Sequence, residues 1–199
     1  MCPASISKIL KFELNFKYWK PHVTYLNSEK DKNIRERQWF TQVFEELFFK
    51  NCRFIWIDEV AFNSRDLAPY SWLSSHNWTQ IYPYKGAIQT SAICALTDDG
   101  VFFSQFRQGA NTAKTFTLYL EQLELALKQF RDKSPTAVGK YWGMRPKTVY
   151  ILDNAAIHNN DLVKTYFSNR KIMCLTLPPY TPWFNPIESV FGITKNWLR

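Results

Sequence analysis

An α/β domain, a mixed sheet with helices packed against it, is the fold class this sequence predicts. Three observations lead there. Apolar runs rich in β-branched and aromatic residues alternate with stretches whose apolar residues recur every three or four positions. Thr97-Asp98-Asp99-Gly100 lies between two strand-like runs and is a hairpin signal, so two strands are antiparallel neighbours. Further along, the strand patterns are separated by helical ones, which requires crossover connections and parallel pairing. With 199 residues, 46% hydrophobic and 17% aromatic, the chain can form one substantial core.

Residues 1–34 read as an N-terminal extension. Pro3 to Lys11 has the spacing of a short helix, with Ile6, Ile9 and Leu10 on one face. The polar stretch Asn27 to Asn33 reads as a linker. From Arg35 to Phe49, Trp39, Phe40, Val43, Phe44, Leu47 and Phe48 form an aromatic helical stripe suited to core packing.

Arg53 to Asp58 reads as the first strand, and Ala87–Leu96 with Val101–Phe106 as the hairpin. Thr79 to Tyr82 adds a short extended piece. Lys114 to Phe130 is helical, with Phe116, Leu120, Leu123, Leu127 and Phe130 on one face. Pro135, Gly139, Gly143 and Pro146 mark 131–146 as a loop. Then come a buried-type strand, Lys147 to Asp153, a short helix from Asp161 to Ser168, and a strand from Lys171 to Leu177. A last helix begins at Asn185.

The net charge of +8, from 25 basic and 17 acidic residues, suits a polyanionic partner. Cys2, Cys52, Cys94 and Cys174 are widely spaced, which argues against a zinc site or a disulfide framework. No apolar run reaches the roughly 18 residues that span a bilayer, and the N-terminus lacks a signal-peptide layout. A soluble intracellular protein with no membrane partner is expected.

Three acids stand out. Asp58 follows Phe54-Ile55-Trp56-Ile57, Asp153 follows Val149-Tyr150-Ile151-Leu152, and Glu188 closes Leu177-Pro178-Pro179-Tyr180-Thr181-Pro182-Trp183-Phe184-Asn185-Pro186-Ile187-Glu188. Each also has a structural reading. Asp58 or Glu59 reads as a cap in a solvated turn, and Asp153 or Asn154 as the head of an Asx turn. Glu188 falls where a capping box would place it, with Asn185 as N-cap and Pro186 in the first helical position. Carboxylates gathered at strand ends are, equally, how a protein assembles a hard-cation site for phosphodiester chemistry.

Taken together, the order and flanks of these acids resemble the catalytic domain of mariner-type transposases, a branch of the DDE superfamily. The likeness rests on Asp58-Glu59, on Leu152-Asp153-Asn154 with His158, on the twelve residues Leu177–Glu188, and on the 34 residues between Asp153 and Glu188. It covers roughly 35–199. The resemblance implies a ribonuclease H-like fold, with residues 35–199 as the catalytic domain and 1–34 as a remnant of a helix-turn-helix region and its linker. It also implies that Asp58, Asp153 and Glu188 are catalytic and bind two Mg²⁺ ions, for which Mn²⁺ substitutes. The expected activity is cleavage at transposon ends followed by strand transfer into target DNA at a TA dinucleotide, by a homodimer.

Asn154 and His158 are expected to act behind the acids. Asn154 would support the second acid by a hydrogen bond; His158 would either orient a phosphate or metal-bound water, or bond the loop backbone. Lys8, Lys11, Lys17, Lys20, Lys85 and Arg107 are candidate phosphate contacts, and Phe16, Tyr18 and Trp19 candidate base-stacking groups. The expected location is the nucleus in a eukaryotic host and the cytoplasm in a bacterium. The chain carries at most the end of one helix-turn-helix unit and stops at Arg199, soon after Glu188. A second reading follows: an inactive or domesticated remnant acting as a DNA- or protein-binding module. An unrelated ribonuclease H-like nuclease fits the Leu177–Glu188 signature poorly.

Overall fold

The computed structural model describes residues 3–16, 26–63, 89–133 and 147–198. Its centre is a five-stranded sheet: β1 (Arg53–Asn63), β2 (Gln89–Thr97), β3 (Gly100–Gln108), β4 (Thr148–Leu152) and β5 (Met173–Thr176), in spatial order β3-β2-β1-β4-β5. The β2–β3 hairpin forms as expected and pairs antiparallel with β1, while β4 and β5 join in parallel. The turn is closed by Thr97, whose Oγ1 accepts the Asp99 N–H at 3.2 Å, and by Gly100 at φ 113°, open to glycine alone without strain. Arg53, buried at the start of β1, donates to Asp99 at 2.9 Å and Asp98 at 3.4 Å, tying the hairpin tip to the strand.

Side chains alternate across the sheet, so each strand feeds two cores. On one face Ile55, Ile57, Ile93, Ala95, Tyr150 and Leu152 pack against α3 (Ala113–Lys133) and α4 (Asp161–Arg170). The apolar stripe of α3 meets the sheet as the spacing predicts, with Phe116, Leu120 and Leu123 fully buried. On the opposite face, Phe54, Val149, Ile151 and Leu175 meet Phe40 and Leu47 of α2 (Asp31–Phe49). Farther along that face, Val60, Cys94 and Leu96 meet Ile187 and Phe191 of α5 (Ile187–Trp197).

Several elements depart from the sequence reading. The polar stretch 27–33 is not an open linker. Leu26–Glu29 is a 3-10 turn, and α2 begins at Asp31. Ser28 and Asn33 are buried there, and Arg37 donates to the Ser28 carbonyl at 2.6 Å, holding the turn against the helix. Nor is the aromatic stripe of α2 all core: Trp39 and Phe48 flank the inward face and are more than half exposed. The N-terminal helix, α1 (Pro3–Lys8), runs into a π turn over Ile9–Glu13, with Ile6 and Leu10 exposed.

β1 runs five residues past Asp58, whereas β5 is shorter than expected. α3 extends through 131–133 into the expected loop, and α4 ends two residues later than expected, at Arg170. The extended piece at Thr79–Tyr82 and the rest of the 131–146 loop lie outside the described residues. Cys52 and Cys94 are buried free thiols and Cys174 is an exposed one. Among the described residues no helix is long and apolar enough to cross a membrane.

Candidate active site

Asp58 is not a strand terminus, as the sequence suggested, but a residue in the middle of β1. What ends there is the neighbour: the last parallel pair between β1 and β4 is Ile57 with Leu152, one position before Asp58 and Asp153. Both acids therefore emerge where β4 stops, at the carboxyl end of the parallel strands, where open α/β sheets place their ligands. Alternation along β1 sends Asp58 to the α5 face, in line with Trp56 and Val60. The first residues of α5 then bring Glu188 to the same place. Asp58, Asp153, Asn154, Asn185 and Glu188 line one cleft of about 380 Å³, walled by the Leu177–Pro182 loop. In that loop Thr181, itself buried, donates to the Pro178 carbonyl at 2.6 Å, and Tyr180 takes a left-handed backbone at φ 59°. Such a conformation is uncommon for a tyrosine and marks the loop as held by its surroundings.

Asp58 is buried, and both its oxygens are engaged. Oδ1 accepts the Glu59 N–H at 2.7 Å and Oδ2 accepts from Asn185 Nδ2 at 2.8 Å. Burial, and then the negative charges of Asp153 and Glu188, push its pKa up to about 7. Asp153 behaves in the opposite way. Its Asx turn does form, with Ala155 N–H donating to Oδ1 at 3.0 Å, and His158 Nδ1 meets the same oxygen at 2.6 Å. Burial raises this carboxyl, but the His158 and Ala155 hydrogen bonds outweigh it and hold the pKa below the usual value.

The capping box read at Glu188 does not form. The Asn185 N–H is taken by the Pro182 carbonyl at 3.0 Å, within the 3-10 turn Pro182–Phe184, so no donor is left for the glutamate. Asn185 caps nothing with its side chain; instead it reaches 127 positions back to Asp58. Glu188 keeps its carboxylate exposed in the cleft.

His158 is buried and does not line the cleft; its Nδ1 also lies 3.3 Å from the Asp153 backbone oxygen, the loop-backbone contact the sequence reading named. Its Nδ1 meets Asp153, its Nε2 meets Glu59 Oε2 at 3.2 Å, and its ring packs on Phe116 at 4.5 Å between centroids. Burial opposes the charged ring, yet the bonds to Asp153 and Glu59 prevail and raise its pKa to about 10. Asn154 does not bond Asp153 as expected: its Oδ1 accepts from Asn159 Nδ2 at 2.6 Å and stiffens the loop. Lys8, Lys11 and Arg107 are exposed and do not line the cleft. Lys17, Lys20 and Lys85, like Tyr18 and Trp19, lie outside the described residues. Neither Asn185 nor Glu59 is predicted as a site residue by the sequence, where Asn185 reads as an N-cap and Glu59 as a turn cap beside Asp58.

The donor set is what a hard divalent cation needs: three carboxylates, the buried Asp58 shifted upward first by burial and then by its like-charged neighbours. Asn185 Oδ1 is buried and has no hydrogen-bond partner among the described residues, which leaves an acceptor beside Asp58. Among the described residues no three His, Cys, Asp or Glu side chains are drawn into a preformed metal cage. The three acids instead face one open cleft, which suits a divalent ion that keeps some of its waters. The residues therefore fit the group.

A mixed sheet of this order, with acids collected at the ends of its parallel strands, defines a ribonuclease H-like domain with an acidic cleft. Its sequence places it more narrowly. Residues 53–199 match the family described as DDE superfamily endonuclease, and the chain belongs to that family.

The fold is also that of mariner transposase structures. One is the Mos1 transposase paired-end complex with the left transposon end: 14% identity, TM-score 0.67, covering 98% of this chain and 56% of that one. Another is the Mos1 strand transfer complex, at 14% identity and TM-score 0.62, covering 96% and 55%. The catalytic domain of Mos1 mariner transposase aligns at 16% identity and TM-score 0.58, covering 89% and 76%. This chain thus spans little more than half the length of the chains in the DNA complexes. No curated protein matches in sequence.

Proposed function

We propose that this chain is a divalent-metal-dependent transposase domain that cleaves DNA at transposon ends and joins the freed 3′ end to target DNA. The single observation carrying the proposal is the cleft itself. A buried Asp58, its pKa raised to about 7, shares it with Asp153 and Glu188 at the strand ends. A divalent cation in that cleft would offset the repulsion among the three carboxylates.

Asp58, Asp153 and Glu188 are assigned as the metal ligands, for two Mg²⁺ ions or Mn²⁺ in their place. When bound, the ions would supply Lewis acidity toward the phosphodiester and a lowered pKa for the attacking water or 3′-hydroxyl. The chain's own groups do the positioning. Asn185 holds the Asp58 carboxylate through Oδ2, and His158 holds Asp153 ionised and oriented. Lys8, Lys11 and Arg107 contribute phosphate affinity outside the cleft. Two copies would serve a pair of ends, as the Mos1 paired-end complex suggests, and the place of action follows the host's DNA.

The test is incubation of the folded protein with supercoiled DNA carrying a TA-flanked end, with Mg²⁺, with Mn²⁺ and with chelator. Nicking in both metals and none with chelator is the expected result. Equal DNA binding in all three conditions, with no nicking, would favour a binding remnant instead.

A further inference from the structure

Alternation along β1 sends Asp58 into the cleft and Glu59 to the other face of the sheet, where Ile55 and Ile57 pack against α3. There Glu59 meets His158. The imidazole is buried against Phe116 and reaches past the end of β4, with Glu59 on one nitrogen and Asp153 on the other. The chain Glu59–His158–Asp153 thus links the face beneath the sheet to a carboxylate of the cleft. It runs between residues 99 positions apart, so only the folded domain assembles it.

We infer that Glu59 is a positioning residue: through His158 it fixes the orientation of the Asp153 carboxylate, and so the metal affinity of the cleft.

The inference rests on the proposed metal site but names a residue outside it. Consecutive acids on a strand have separate duties here, one on each face. A ring fixed at only one nitrogen turns about its Cβ–Cγ bond. A ring held at both, with a phenyl against its face, has one orientation, and Asp153 Oδ1 inherits it. The Ala155 N–H fixes the same oxygen from the loop side, so the carboxylate is held from two directions. Groups that orient metal ligands in this way typically alter metal affinity about 10–100-fold when removed.

The experiment compares wild type, Glu59→Gln and Glu59→Ala with two readouts. One is Mn²⁺ affinity, followed by paramagnetic resonance; the other is the imidazole N–H spectrum of the metal-free protein by NMR. Glu59→Gln keeps an acceptor for the ring, whereas Glu59→Ala has none. In wild type a slowly exchanging, downfield His158 N–H toward Asp153 is expected. Glu59→Ala is expected to lose that signal and bind Mn²⁺ about 10–100-fold more weakly. Glu59→Gln should recover most of both, which a purely packing role would not produce.

Glu59→Ala with wild-type Mn²⁺ affinity and an unchanged His158 signal would overturn the inference. So would a wild-type His158 lacking the protected N–H, whatever the metal does. A wild type showing the signal but holding no Mn²⁺ would support the brace and count against the proposed function.

Discussion

Asp58→Asn is expected to abolish DNA cleavage while making the metal-free domain more stable. The first half follows from its position. A carboxylate between Asp153 and Glu188 carries the charge a divalent ion needs, and a neutral amide does not. A loss of at least about a thousandfold in cleavage rate, roughly 4 kcal/mol of barrier, is expected. Asp153→Asn and Glu188→Gln should behave likewise in cleavage.

The second half follows from the pKa. The folded-state value, about 7, lies above the ordinary aspartate value of 3.8, so folding favours the neutral carboxyl. The Asp58 contribution to stability is therefore fully present below about pH 4 and is lost from there through about pH 7. The amide escapes that penalty. Above pH 7 the variant should exceed metal-free wild type by about 2–4 kcal/mol, and the gap should close as pH falls to about 4. Urea unfolding at pH 4, 6 and 8 with chelator measures it. Equal stability at pH 8 would show that Asp58 is not strained by burial and like charge.

The metal affinity of wild type is expected to depend on pH through the same group. Binding requires the Asp58 anion, so below about pH 7 filling the site displaces one proton. Affinity should fall by up to tenfold per pH unit below that point and level off above it. Asp153 adds no second step in this range, because His158 and the Ala155 N–H keep it ionised. His158, with its pKa raised to about 10, remains charged throughout. Calorimetric titration of Mg²⁺ in buffers of different ionisation enthalpy reports both the slope and the released proton. A flat profile from pH 6 to 8, with no proton released, would place the metal away from Asp58.

The sequence revealed the scaffold better than the couplings. The hairpin was legible because Asp99-Gly100 supplies a local turn with a positive φ, and α3 because its apolar stripe is unbroken. Asp58 was misread as a strand end, since an acid after four apolar residues looks like a terminus. Val60 and Phe62 continue the alternation beyond it, and β2 pairs with β1 from Trp56 through Asn63.

Asn185 was assigned as a cap because that is its commonest local role. The preceding 3-10 turn occupies its N–H, and Asp58 lies close only in the folded chain. The pairing of Glu59 with His158 is illegible for the same reason: no periodicity joins residues 99 positions apart. Of the nine candidate DNA contacts named from the sequence, only Lys8, Lys11, Arg107 and Phe16 fall among the described residues, all four exposed. Charge alone did not reveal their relation to the cleft.

The central claim is that the cleft at the ends of β1 and β4 holds divalent metal. Crystals soaked in Mn²⁺ and measured at the manganese absorption edge test it most directly. The expected result is anomalous density in the cleft, bonded to Asp58 and Asp153 and within reach of Glu188, and absent in Asp153→Asn. Manganese only at other surface sites, with the cleft open to solvent in the lattice, would contradict it.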